Sequence, residues 1–234
     1  MGAELPKRTP TRRGQLYSVL TGDIIASTEL SKAQMSMARD TLIEAAATFC
    51  TARQCTITGE PDFFRGDAWQ ILLAEPAHAL ALALYIRARL RSELATDTRV
   101  SIGIGLVHDI HPDRITLSNG EAFVLSGRAL DDLTGYFDLT GAVPERAGML
   151  ESWFPIVLHL CSDLIRSWTQ RQAELIAAAL VIKNPTHERI AQSLKPKVVK
   201  QSVTDTLRAA NWRALQEPIN AFEETDWSCL LANV

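Results

Sequence analysis

One strand-like run broken by a Gly-Asp dipeptide constrains the fold more than any other stretch of this chain: Phe63-Phe-Arg-Gly-Asp67-Ala-Trp-Gln-Ile-Leu-Leu73. Apolar and aromatic residues flank Gly66-Asp67, the pattern of two antiparallel strands joined by a tight turn. A second aspartate closes another apolar run, in Tyr17-Ser-Val-Leu-Thr-Gly-Asp23-Ile-Ile-Ala-Ser-Thr28. A sheet carrying both runs would set two carboxylates side by side. Such a hard, oxygen-rich site suits Mg²⁺ and a polyphosphate, because the cations offset the repulsion between the acids. The plainer alternative is that each aspartate only shapes a turn.

The neighbouring segments supply the rest of a sheet and its helices. Residues 16–20 read as a central strand, apolar enough to be covered on both faces. Residues 31–50 have helical spacing, with Met35, Ala38, Leu42, Ala45 and Ala46 on one face. Short strands are expected at 56–58 and across 63–73, and Glu75-Pro76 opens a helix to about residue 94. Residues 100–107 form another strand and 119–133 a helix. That order predicts an α+β fold, a ferredoxin-like or palm-type layer with an antiparallel sheet and helices on one face. His108, Asp109 and His111 read as part of a surface loop rather than a metal site.

From about Glu145 onward strand signals nearly vanish. Helices are expected at 149–164, interrupted at Pro155, and at 170–182. Thr169 with Gln172 three residues on is a capping-box pattern for the second. Asn184-Pro185 marks a turn, 186–194 a short helix, and 198–212 a further helix with Val199, Val203, Leu207 and Ala210 along one stripe. The expected division is therefore a flexible basic N-terminus at 1–14, an α/β domain at 15–144, and an all-α domain at 145–234. Trp153, Trp168, Trp212 and Trp227 read as packing residues of that second domain. The tail from 217 is expected to pack back or to support dimerisation.

Charge is segregated along the chain. The net charge is −3, but residues 161–216 carry nine basic and four acidic side chains, +5 there and −8 elsewhere. That asymmetry points to an anionic partner for the basic part. With 47% apolar and 22% charged residues, the chain is expected to be globular and cytoplasmic. No apolar stretch has membrane-spanning length, and no membrane partner is expected. Cys50, Cys55, Cys161 and Cys229 lack framework or zinc spacing, so reduced thiols are expected.

Several motifs resemble the class III nucleotidyl cyclase catalytic domain: Asp23-Ile-Ile-Ala-Ser-Thr28, Gly66-Asp67-Ala, the alanine-rich run at 77–85, Arg99-Val-Ser-Ile-Gly-Ile-Gly105, and Gly120-Glu-Ala-Phe-Val-Leu-Ser-Gly-Arg128. The likeness covers roughly residues 15–140 and extends to the bacterial SatD-like proteins. It implies a cyclase-like dimer in which Asp23, Ile24 and Asp67 hold Mg²⁺ or Mn²⁺ and Arg128 steadies the reacting phosphorus. It also implies that Val124 stands where the family has a ribose-binding asparagine, and Phe63 where it has a base-selecting lysine.

Residues 186–212 are in turn similar to a helix-turn-helix unit, with Lys195-Pro196-Lys197 in place of the usual single glycine of the turn. Lys200, Gln201, Ser202, Thr204 and Arg208 are donors suited to base edges and phosphates, with Lys195, Lys197 and Arg213 toward the DNA backbone. The resulting expectation is a homodimeric regulator that reads double-stranded DNA and senses a nucleotide or cyclic nucleotide with Mg²⁺. The alternative is a cyclase or related nucleotidyltransferase.

Overall fold

The computed structural model describes residues 15–194 and 196–232. The basic N-terminus expected at 1–14 and the DNA contact expected at Lys195 lie outside the described residues.

Five strands run side by side in the order β2-β3-β1-β4-β5, where β1 is Gln15–Ile24, β2 Asp62–Phe64, β3 Ala68–Leu73, β4 Thr98–Asp109 and β5 Asn119–Gly120. Helix α1 (Lys32–Arg53) joins β1 to β2, and α2 (Ala79–Leu94) joins β3 to β4. This is the split βαβ arrangement of a ferredoxin-like layer, with each neighbouring pair of those five strands antiparallel. One strand departs from the antiparallel expectation: β6 (Leu139–Ala142) runs parallel to β4.

Period-two alternation sorts the sheet's two faces. Leu20, Ile71, Ile102 and Ile104 join the main core with α1 and α2, whereas Tyr17, Val19 and Leu72 join a smaller core with Ala122 of α3 (Glu121–Asp131). Helices therefore cover both faces, not one as the pattern suggested. The reason is local. A Cβ on Gly103 would sit 2.3 Å from the Ala122 carbonyl oxygen, so α3 can lie directly on β4 only because that strand carries glycine there.

The C-terminal helices continue the same core. They are α4 (Met149–Arg166), α5 (Gln170–Val181), α6 (His187–Ser193), α7 (Lys200–Ala209), α8 (Trp212–Glu224) and α9 (Trp227–Ala232). Helix α2 is buried from Ala79 through Ala88, and a helix buried on every side needs cover all round. Helices α1, α5 and α8 all pack against it. Helix α4 packs on β6 and runs unbroken through Pro155, which corrects the expected interruption. Packing outweighs the ~3 kcal/mol an internal proline costs. The helix expected at 198–212 is two helices, broken where Asn211 takes a left-handed conformation (φ 55°). Trp168, Trp212 and Trp227 are buried as expected, while Trp153 is 57% exposed.

Candidate functional site

Strand register brings the two sequence-singled aspartates to neighbouring strand ends. Asp23 stands between Ala68 of β3 and Arg99 of β4, and the Ile24 N–H donates to the Asp67 carbonyl at 3.3 Å. The Gly66-Asp67 turn forms as expected, with Arg65 (φ 50°) and Gly66 (φ 95°) both left-handed. Gly22 is required beside it. A Cβ there would lie 2.5 Å from the Trp69 ring, whose indole N–H reaches the Thr98 hydroxyl at 2.9 Å.

The two carboxylates nevertheless have different partners. Arg99 takes both oxygens of Asp23, with Nε 2.8 Å from Oδ1 and Nη2 on Oδ2. Asp67 accepts a hydrogen bond from the Ser27 hydroxyl on Oδ2. Asp23 is the main reason the Arg99 guanidinium holds its proton more tightly than usual, against the effect of burial, and Asp138 and Asp67 add to it. Arg99 is thus the resident cation among three aspartates. The Asp23–Arg99 pair continues a polar stripe on the α3 face, where Gln70, Thr21, Ser101 and Thr140 stand in one cross-strand row. Ser126 of α3 meets that row at the Thr21 hydroxyl, 2.8 Å away.

A cavity of about 550 Å³ opens beside Asp67, between the turn and the start of α1. Lys32, Arg39 and Arg65 line it together with Asp67 and the hydroxyls of Ser27 and Thr28, so its charge favours an anion. Asp23 is not among its lining residues. Lys32, Met35, Ser36 and Arg39 all face the cavity, at the spacing i, i+3, i+4, i+7 of one helical stripe. Ser31 starts that helix at a defined point, through a capping box with Gln34. Arg39 is fixed twice. Its Nη2 donates to the Gly66 carbonyl, and its guanidinium lies 5.3 Å from the Phe63 ring centre. Phe63 thus serves as a platform for a cation.

The donors present suit a hard cation only in part. Carboxylate and backbone oxygens are the ligands Mg²⁺ takes. Asp67 has Oδ1 to offer, but Asp23 can contribute only if Arg99 moves off it. Ile24 is 2% exposed, its side chain is apolar and its N–H is already bonded, so only its carbonyl remains. Among the described residues no three His, Cys, Asp or Glu side chains cluster as metal ligands.

Arg128 lies exposed on α3, one turn after Val124, which is 45% exposed. On α7, Lys200, Gln201, Ser202 and Arg208 are exposed, as are Lys197 before it and Arg213 after it. Thr204 is engaged within the unit, 2.8 Å from Nδ1 of His187 in α6, and Gln201 donates to Asp205 at 3.0 Å. Arg99, Lys32, Arg39 and Arg65 were missed as site residues. The helical stripe at 32–39 was a usable signal for two of them.

No protein-family model matches the chain, and no curated protein matches it in sequence. Among solved structures the chain is similar to the guanylyl cyclase Cya2, at 17% identity over 54% of this chain and 74% of that one, with a TM-score of 0.36. It is also similar to a bacterial light-regulated adenylyl cyclase, at 16% identity over 56% and 77% of the two chains, with a TM-score of 0.39. The residues of the cavity decide what it can hold.

Proposed function

We propose that this chain is a regulator whose α+β layer binds a nucleoside polyphosphate in the cavity beside Asp67 and whose α6–α7 unit reads double-stranded DNA. The observation that carries the reading is the set of three cations, Lys32, Arg39 and Arg65, around one carboxylate in a cavity of about 550 Å³. Phosphates meet the cations and the hydroxyls of Ser27 and Thr28. A divalent cation held by Asp67 would neutralise phosphate charge, with Asp23 recruited once Arg99 turns to a phosphate instead. The exposed basic face of α7 supports the DNA-reading half, since free lysine and arginine there can neutralise backbone phosphates. A homodimer would present two such faces to a palindromic site.

The second reading, a nucleotidyl cyclase, is favoured by one observation: Asp23 and Asp67 both stand at neighbouring strand ends. It asks Val124 and Phe63 to serve where hydrogen-bonding side chains are needed, which an apolar group cannot do. Release of pyrophosphate from a nucleoside triphosphate with Mg²⁺ or Mn²⁺, lost on Asp67→Asn, would establish it. Nucleotide-dependent thermal stabilisation without pyrophosphate release supports the regulator.

A further inference from the structure

Cys50 lies in the last turn of α1, and Gln54 ends that helix in a left-handed conformation (φ 57°). This folds the chain back so that the Cys55 N–H bonds the Cys50 carbonyl at 3.1 Å. The same turn leaves the two thiol sulfurs 2.9 Å apart. A disulfide needs them only about 1 Å closer. Both residues are buried, with 8% and 9% of their surface exposed, so only a small oxidant suits the pair.

We propose that Cys50 and Cys55 form a redox-modification site that reduces hydrogen peroxide and closes to an intramolecular disulfide. The Cys55 thiolate attacks one peroxide oxygen, the O–O bond breaks, and the departing hydroxide takes up a proton to leave as water. Cys55 is then a sulfenic acid. The Cys50 sulfur attacks the Cys55 sulfur, the S–O bond breaks, and hydroxide leaves with the Cys50 proton as a second water. Two thiols lose two electrons in all, and one hydrogen peroxide gains them.

The surroundings favour that order. The neighbouring Cys50 thiol lowers the Cys55 thiol against the effect of burial, with the charge of His78 adding to it, whereas Cys50 is pushed up by Cys55 and by burial. The other two cysteines differ from this pair. Burial pushes the Cys161 thiol up to about 12, and Cys229 is exposed. Closing so short a loop removes little chain entropy, so the bond would act as a reversible modification more than as a staple. It would also be felt beyond the turn. Glu223 of α8 is the main reason His78 holds its proton more tightly than usual, with Cys55 adding to it, and His78 and Arg53 both pair with Glu223. Oxidation of Cys55 therefore changes the surroundings of His78 and, through it, of α8.

The test uses the full chain with Cys229→Ser, which excludes cross-linking between copies and leaves three thiols. It is treated with a few equivalents of hydrogen peroxide, unfolded, alkylated and mapped by mass spectrometry. The expected result is loss of two of the three alkylatable thiols, a peptide linking positions 50 and 55, and full recovery with dithiothreitol. In a Cys50→Ser chain the reaction should stop at a Cys55 sulfenic acid, trapped by dimedone. Three alkylatable thiols after peroxide, or a linked peptide that includes Cys161, would overturn the proposal without touching the nucleotide reading.

Discussion

Asp97 is the residue on which the α2–β4 junction depends. Arg87 is fully buried, and Asp97 meets it with two hydrogen bonds of 2.9 and 2.6 Å while also accepting from Arg91 at 2.7 Å. Replacing Asp97 with Asn leaves the buried guanidinium with only the longer contact to Asp138, at 3.5 Å, as counter-charge and should cost about 3–5 kcal/mol in urea unfolding. A loss below about 1 kcal/mol would contradict this account. Burial alone would raise the Asp97 carboxyl, but Arg87 and Arg91 override it and hold it below the ordinary range. The stability it contributes is therefore complete above the unfolded value of about 3.9 and drains away as pH falls through the lower folded value. The gap between the parent chain and Asp97→Asn should narrow only in that acid window. Gly103→Ala should cost a further ~1–3 kcal/mol, read in the same unfolding curves, because α3 cannot back away from β4 without losing its own contacts. Asp23 and Asp67 were legible because each ends an apolar run. Arg99 was not, because its role follows from β1 lying beside β4, a pairing between residues far apart in sequence.

At the scale of elements, local chemistry transferred well from sequence to structure and tertiary packing did not. The Thr169–Gln172 capping box forms as its spacing predicts, and Thr169→Ala should lower stability by about 1 kcal/mol on thermal unfolding. Pro155 misled because a helix-breaking residue says nothing of the sheet that holds the helix together. The α7–α8 break was hidden because the stripe that includes Val203, Leu207 and Ala210 runs on in register to Asn211, where the backbone turns. The exposed face of α7 carries the DNA proposal. Lys200→Ala with Arg208→Ala should weaken gel retardation of the chain's own upstream DNA and reduce the slope of log affinity against log salt by roughly two. Unchanged retardation would remove α7 as the reading helix.

For the whole molecule, the division expected near residue 144 meets a core that does not divide there. Leu82, Leu84 and Ile86 of α2 share one apolar cluster with Leu175, Ile176 and Leu180 of α5. A fragment of residues 15–144 would expose that face of α2 and should show no cooperative melting in calorimetry. A sharp transition close to that of the full chain would contradict the shared core. The strand order was legible in outline from the alternation of strands and helices, while the second covered face depended on glycines whose purpose only packing reveals. The central claim, that the cavity beside Asp67 takes a polyphosphate, is tested most directly by thermal shift with Mg²⁺ and a nucleoside triphosphate. At about a hundredfold excess over the dissociation constant, the parent chain should melt roughly 5–10 °C higher, and Lys32→Ala with Arg39→Ala should lose that shift. No shift with any nucleotide, or an equal shift in the double variant, would contradict it.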